Sequence, residues 1–286
     1  MRLSINSEAV SVRYGDECAI EMLGKAGFDC IDYTFIDGKS IEMYGDNYKE
    51  YVQKLLSLLK KYRMTCNQAH APYDFKYGGA FEMSNEKYAK LVRSIEAASM
   101  LGADNIVVHT ISVPDDVDVF AYNIEFFKSL QPYCEKFKIC VAIENLYEYD
   151  AHTFSHFGRL HTPELLNAMI AELNSPWFTI CVDVGHAAIT NNKPQDVIRG
   201  FDNRVLKALH IHDTDYRFDR HTLPYTGQHD WEKIMKALKS IDYTGDLTYE
   251  IGHFMAKYPD DLVEDALFFA EKTGRSLIRS FEKCTE

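Results

Sequence analysis

The sequence predicts a closed α/β barrel of eight strands, built by one domain spanning 1–286, and three observations lead there. Short β-type runs alternate strictly with longer segments whose apolar residues recur at three- and four-residue spacing. That alternation calls for a parallel sheet with helices outside it. The 286 residues suit the roughly 250 that such a barrel takes. The other arrangement of the same pattern is an open, doubly wound sheet. It would usually carry a Gly-rich phosphate loop after an early strand, and none is present.

The strand segments, in order, are RLSIN (2–6), FDCIDYTF (28–35), MTCNQAH (64–70), NIVVHT (105–110), KICVAIEN (138–145), FTICVDV (178–184), VLKALHIHD (205–213) and DLTYEIG (246–252). Between them, 47–63, 85–102 and 230–241 have helical spacing. Ser84 is placed to cap the helix that carries Tyr88, Leu91, Val92 and Ile95, and Gly102 to close it. Thr162-Pro163 reads as N-cap and first helical residue ahead of ELLNAMIAEL. No Pro/Gly/Ser-rich linker or low-complexity tract divides the chain.

Composition narrows the function classes. A hydrophobic fraction of 46% and a charged fraction of 26% are those of a folded globular protein. The net charge of -12 opposes phosphate backbones, so nucleic acid is not an expected partner. No apolar run reaches the length of a membrane span, and MRLSIN lacks the pattern of a signal peptide. The seven cysteines are scattered without a C-x-x-C pair, as in a reduced cytoplasm. The expected setting is therefore cytoplasmic, with no membrane partner, and self-association into a homo-oligomer is compatible with the sequence.

Barrels of this kind place their chemistry at the C-terminal ends of the strands. Here the third strand ends on His70, the fourth on His109, the fifth on Glu144 and the sixth on Asp183. The seventh ends on His210, with His212 and Asp213 beyond, and the eighth on Glu250. Asp183 also suits the cap of a helix that starts at the next residue. Glu144 and Glu250 follow CVAI and LTY, at the mouth of a packed core, where an unpaired carboxylate is costly. Three carboxylates directed into one mouth repel unless a cation lies among them. Glu144, Asp183, His210 and Glu250 are therefore read as ligands of a divalent metal, a mixed oxygen and nitrogen set that suits Zn, Mn, Co or Mg.

The segment HIHDTDYRFDRH (210–221) forms one wall of that site. His212 shares the face of His210 by strand alternation. Asp219 and His221 are spaced to reach one ion, and Asp183 and His186 offer a similar pair from DVGH.

The motifs HAPY (70–73), VVH (107–109), IEN (143–145), DVGHA (183–187), HIHD (210–213), DRHTLPYTGQHDW (219–231) and YEIG (249–252) occur in this order at the strand ends. Together they resemble the xylose isomerase-like barrel superfamily, which includes sugar phosphate isomerases and epimerases, ketose 3-epimerases, inosose dehydratases and endonuclease IV. The resemblance places that superfamily's metal ligands on Glu144, Asp183, His210 and Glu250. It implies that Glu144 and Glu250 are also the acid–base pair, and that a His at the position of His186 contacts substrate. Where the epimerase branch has an Arg after the seventh strand, this chain has Tyr216, with Arg217 next. Likeness to endonuclease IV implies a wider metal set that adds His70, His109, His186, Asp219 and His221.

The expected function is a metal-dependent isomerase or epimerase of a sugar or sugar phosphate, a role in carbohydrate metabolism. A proton would leave carbon through a metal-stabilised enediolate, taken by one glutamate and returned by the other. His70, His109, His186 and His212 would surround the substrate, the last two orienting hydroxyls. Tyr73, Phe75, Tyr147, Tyr149, Phe154 and Phe157 would wall a small-molecule pocket, and Arg159, Arg217 and Arg220 are the candidates for a phosphate. Two alternatives stand beside this reading: a multi-metal phosphodiesterase like endonuclease IV, and a barrel that binds sugar and metal without turnover.

Overall fold

The computed structural model describes residues 1–36, 38, 40–73, 75–150, 152 and 155–284. Eight parallel strands form a nearly closed, single-domain barrel: β1 Leu3–Asn6, β2 Cys30–Thr34, β3 Thr65–His70, β4 Asn105–Val108, β5 Cys140–Glu144, β6 Phe178–Asp183, β7 Leu206–His210 and β8 Leu247–Tyr249. Each pairs with its neighbours in chain order, and β8 pairs with β1 through Leu3 and Leu247. The remaining seam, β7 to β8, is a parallel bridge between Ile211 and Tyr249. Ile211 N donates to the Thr248 carbonyl at 2.8 Å and Glu250 N to the Ile211 carbonyl at 3.1 Å. These bonds bring the ends of β7 and β8, and so His210 and Glu250, side by side.

All eight strand segments of the sequence are strands, each trimmed where the chain leaves the barrel. The helices run Tyr48–Lys61, Glu86–Leu101 and Trp231–Ser240 within the three expected ranges. One cap differs. Asn85, not Ser84, begins the Glu86–Leu101 helix, because its side chain accepts from Lys87 N and Tyr88 N. Gly102 closes that helix at φ 89°, a left-handed turn that favours glycine. Thr162 caps Pro163–Leu173 as expected, accepting from Leu165 N at 3.4 Å. A small antiparallel hairpin, Glu148–Asp150 with Ser155–Phe157, had no sequence signal beyond an aromatic loop.

The period of two along each strand sorts side chains into an outward set and an inward set. Outward residues pack against the helices in one large apolar cluster. Inside the barrel, Val107, Ala142, Cys181 and Ala208 form a separate small-residue layer. One step further along β4 to β7, in the same inward register, stand His109, Glu144, Asp183 and His210. The apolar layer thus forms a floor on which the polar cluster rests. All seven cysteines are free. Among the described residues, no helix is long and apolar enough to cross a membrane.

Candidate functional site

His210 is the centre of the arrangement and is fully buried. Its Nδ1 stands 2.7 Å from Glu144 Oε1, 3.3 Å from Glu250 Oε2 and 4.0 Å from Asp183 Oδ2. The four residues read as one ligand set therefore do converge. Two further groups gather beside them. His70 and His109 bring their Nε2 atoms to 3.8 Å and 2.9 Å from Glu144 Oε2. His186 and His221 bring theirs to 3.4 Å and 2.7 Å from Asp219 Oδ2. Each of these triads offers ligand atoms close enough to share an ion.

Burial decides the electrostatics. Desolvation favours the neutral form of a buried carboxyl, yet His210 and the other histidines at Glu144 overcome it and hold that group well below the usual range. At Glu250 burial wins over His210 and His221, and the carboxyl is raised. Burial lowers the His210 ring, but the acids around it, Glu250 and Glu144 among them, raise it well above the imidazole range. His221 is likewise pushed up to about 10, since Glu250 and Asp219 outweigh its burial.

The cluster has hydrogen-bonding capacity left over. Glu250 Oε2 and Asp219 Oδ1 are buried without a hydrogen-bond partner. Buried carboxylate oxygens left without a partner are costly unless a cation is shared among them. The donor set of carboxylate and imidazole fits a divalent ion of the Zn, Mn, Co or Mg type.

Sequence reasoning missed the group behind His210. Asp32, fully buried on β2, puts Oδ2 3.4 Å from His210 Nε2. Asn6 and Gln68 donate to the same oxygen at 3.3 Å and 3.2 Å. A carboxylate behind a ligating imidazole fixes the ring's tautomer and orientation. The available signal was an Asp inside an apolar strand run, at the inward register.

Other expected residues take distinct places. A cavity of about 810 Å³ opens over the cluster, and His70, His109, His186, Asp219, His221 and Glu250 line it. His212 is fully buried behind them, its Nε2 3.0 Å from both oxygens of Asp183. A Cβ at Gly185 would run into the His212 ring, so the glycine of DVGHA permits this contact. Asp183 does cap its helix, accepting from His186 N at 2.6 Å.

Of the aromatics, Tyr73 and Tyr147 line the cavity, and Tyr147 donates to Asp219 at 3.3 Å. Phe75 instead packs with Phe81, Tyr88 and Phe126. Tyr149 and Phe157 are exposed, and Phe154 lies outside the described residues. Arg159 is paired with Asp115 and Glu148, and Arg220 with Asp215. Neither these two nor Arg217 lines the cavity.

Asp213 organises the loop that delivers Asp219 and His221. Its Oδ1 accepts from Thr214 N at 2.9 Å and His229 N at 3.1 Å. Its Oδ2 accepts from Tyr225 N and Trp231 Nε1, both at 2.9 Å. A Cβ at Gly227 would strike this carboxylate and the Thr214 carbonyl. Gly227→Ala is expected to cost about 1–3 kcal/mol of stability, read as a lower denaturation midpoint in urea. An unchanged midpoint would show that the loop has slack.

A family model described as the xylose isomerase-like TIM barrel matches residues 20–272. The uncharacterized protein y4fM of Sinorhizobium fredii is 27% identical over 168 residues, 56% of this chain and 51% of that protein. The chain thus matches about half the length of that relative. Among solved structures, D-psicose 3-epimerase with D-tagatose from Clostridium cellulolyticum H10 is similar at a TM-score of 0.76 and 14% identity, over 97% of this chain and 99% of the other. The IOLI protein with a bound zinc atom is similar at 0.77 and 16%, over 99% and 100%. At these identities the likeness establishes the shared fold.

Proposed function

The chain belongs to the xylose isomerase-like TIM barrel family, and on that premise we propose that it is a divalent-metal-dependent isomerase or epimerase acting on a small sugar. The observation that carries the reading is the convergence of Glu144, Asp183, Glu250 and His210 from four adjacent strands, beneath a cavity sized for a small molecule. Two similar structures bear on it: one is of a ketose epimerase and the other holds zinc.

Glu144, Asp183, His210 and Glu250 would hold the ion. When bound, such an ion polarises a carbonyl and offsets negative charge developing beside it. The protein's own groups supply the rest. Glu250 faces the cavity, and Glu144 lies one layer down, with Oε2 turned toward His70 and His109, which do line it. One carboxylate removes a proton from carbon next to the carbonyl, and the other returns one to the opposite face or the neighbouring carbon. His186 lies at the cavity wall, within reach of sugar hydroxyls. His212, held against Asp183, keeps that carboxylate in place. Metal-reconstituted protein incubated with a panel of ketohexoses should convert at least one, and failure across free, phosphorylated and O-substituted forms would count against the proposal.

A second reading rests on a specific observation. The nine positions shared with endonuclease IV fall in the two triads and the four-ligand set described above; six of them line the cavity, and Glu144, Asp183 and His210 lie beneath it. Against duplex DNA stands the charge: 43 acidic residues face 31 basic ones. Arg13 is the one Lys or Arg among the residues lining the cavity, and it is already paired with Asp260. Affinity for a duplex depends on neutralising several phosphates. No incision is therefore expected at an abasic site, with Zn²⁺ or Mn²⁺ at low salt in a nicking assay. Efficient, site-specific cleavage would put the phosphodiesterase first.

A further inference from the structure

The residues lining the cavity include, beyond the ligand cluster, a second group that we call its far arm, and the place of that group follows from the barrel's closure. Because β8 pairs with β1, the segments after these strands flank one crevice. On one side is the helix Glu8–Tyr14, which presents Ala9, Val12 and Tyr14. On the other are Met255, Ala256 and Val263, at and before the start of the helix Asp260–Lys283. We propose that this arm is a subsite for an uncharged, apolar substituent on the sugar. The physiological substrate would then be a substituted keto-sugar, such as one bearing an aryl or alkyl group, and not a free or phosphorylated hexose. The inference rests on the sugar-isomerase reading above.

Three observations carry it. The cavity volume, about 810 Å³, lies in the upper part of the range for drug-sized ligands, roughly 300–1,000 Å³. None of the arm's aliphatic lining residues belongs to the ligand cluster, so a group seated there is additional to the reacting carbons. The arm is largely aliphatic, and Val12 is 45% exposed, so an apolar group lying there removes that surface from water. Its charges do not suit a phosphate. Arg13 donates to the Tyr258 carbonyl at 2.8 Å and to Asp260 at 2.5 Å, which neutralises it. The other charged side chain at that helix, Glu8, is an acid that accepts from the Tyr73 hydroxyl at 3.3 Å.

The test compares D-fructose, 6-O-benzyl-D-fructose and fructose 6-phosphate, with dissociation constants from ligand-observed NMR on the metal-loaded protein. The benzyl ether should bind on the order of 10-fold tighter than fructose, from the apolar area it buries. Val12→Asp should remove that preference while leaving fructose affinity and metal content unchanged, and Val12→Leu should keep it. Equal binding of ether and fructose, tighter binding of the phosphate, or a preference that survives Val12→Asp would each overturn the subsite. So would no binding by either ketose. A Val12-dependent preference without turnover of any ketose would support the subsite and count against the isomerase reading alone.

Discussion

Glu144→Gln and Glu250→Gln are each expected to abolish measurable turnover, a loss on the order of 10²–10⁴-fold or more. Both residues end strands at the barrel mouth and meet at His210, 2.7 Å and 3.3 Å from its Nδ1. A glutamine keeps the shape and can still offer one oxygen, but it cannot take up a proton. His152→Ala is the control. His152 is exposed, and its backbone N–H donates to Asp150 in the hairpin region, away from the cavity lining. That variant should keep most activity. Metal content of each variant separates the two functions of the glutamates. An inactive protein with its ion retained has lost proton transfer, and one without its ion has lost a ligand. Near-normal turnover in either Gln variant would contradict the acid–base assignment.

Removing the metal is the second large effect. The charges that an ion would hold together are buried and partly unpartnered. A ligand that binds only the folded state stabilises it by about 2.7 kcal/mol at 100 times its Kd. Chelation is therefore expected to lower the Tm by several degrees, and Zn²⁺ or Mn²⁺ to restore it. The sign of the pH dependence follows from the imidazoles. His186, His210 and His221 are held above the ordinary imidazole range when their acid partners are their only counter-charges. They hold protons at neutral pH, and an ion must displace those on the nitrogens it takes. Affinity should rise with pH, with proton release visible when titration heats are compared in buffers of different ionisation enthalpy. A Tm indifferent to chelator and to added metal would contradict the ligand set.

The residues that sequence alone located share one property: their position follows from chain-local pattern. Glu144 follows the apolar CVAI run and Asp183 follows FTICV, so strand ends could be read without knowing which strands pair. Asp32 escaped notice because it sits within an apolar run. Its role depends on strand pairing: the register shift between β2 and β3 skips Asn67 and sets Gln68 opposite Asp32, whose Oδ2 faces His210. Asp213 stood in plain view in HIHD, but its partners Tyr225, His229 and Trp231 are 12, 16 and 18 residues away. The far arm of the cavity is less legible still, because Arg13 on its wall is paired with Asp260, 247 residues away. His212 shows the limit of strand alternation. The sequence placed it beside the substrate, whereas it lies buried behind the cavity lining against Asp183, in the space left at Gly185.

Solvent exchange at carbon tests the glutamate proton transfer most directly. Metal-loaded protein is incubated with ketohexoses, free and 6-O-benzylated, in D₂O, and deuterium at the carbons beside the carbonyl is followed by NMR. Deuterium incorporation is expected at one such carbon, requiring the metal and lost in Glu144→Gln and Glu250→Gln. Conversion of a sugar without deuterium entering its carbon skeleton, or exchange that persists in both variants, would contradict that transfer.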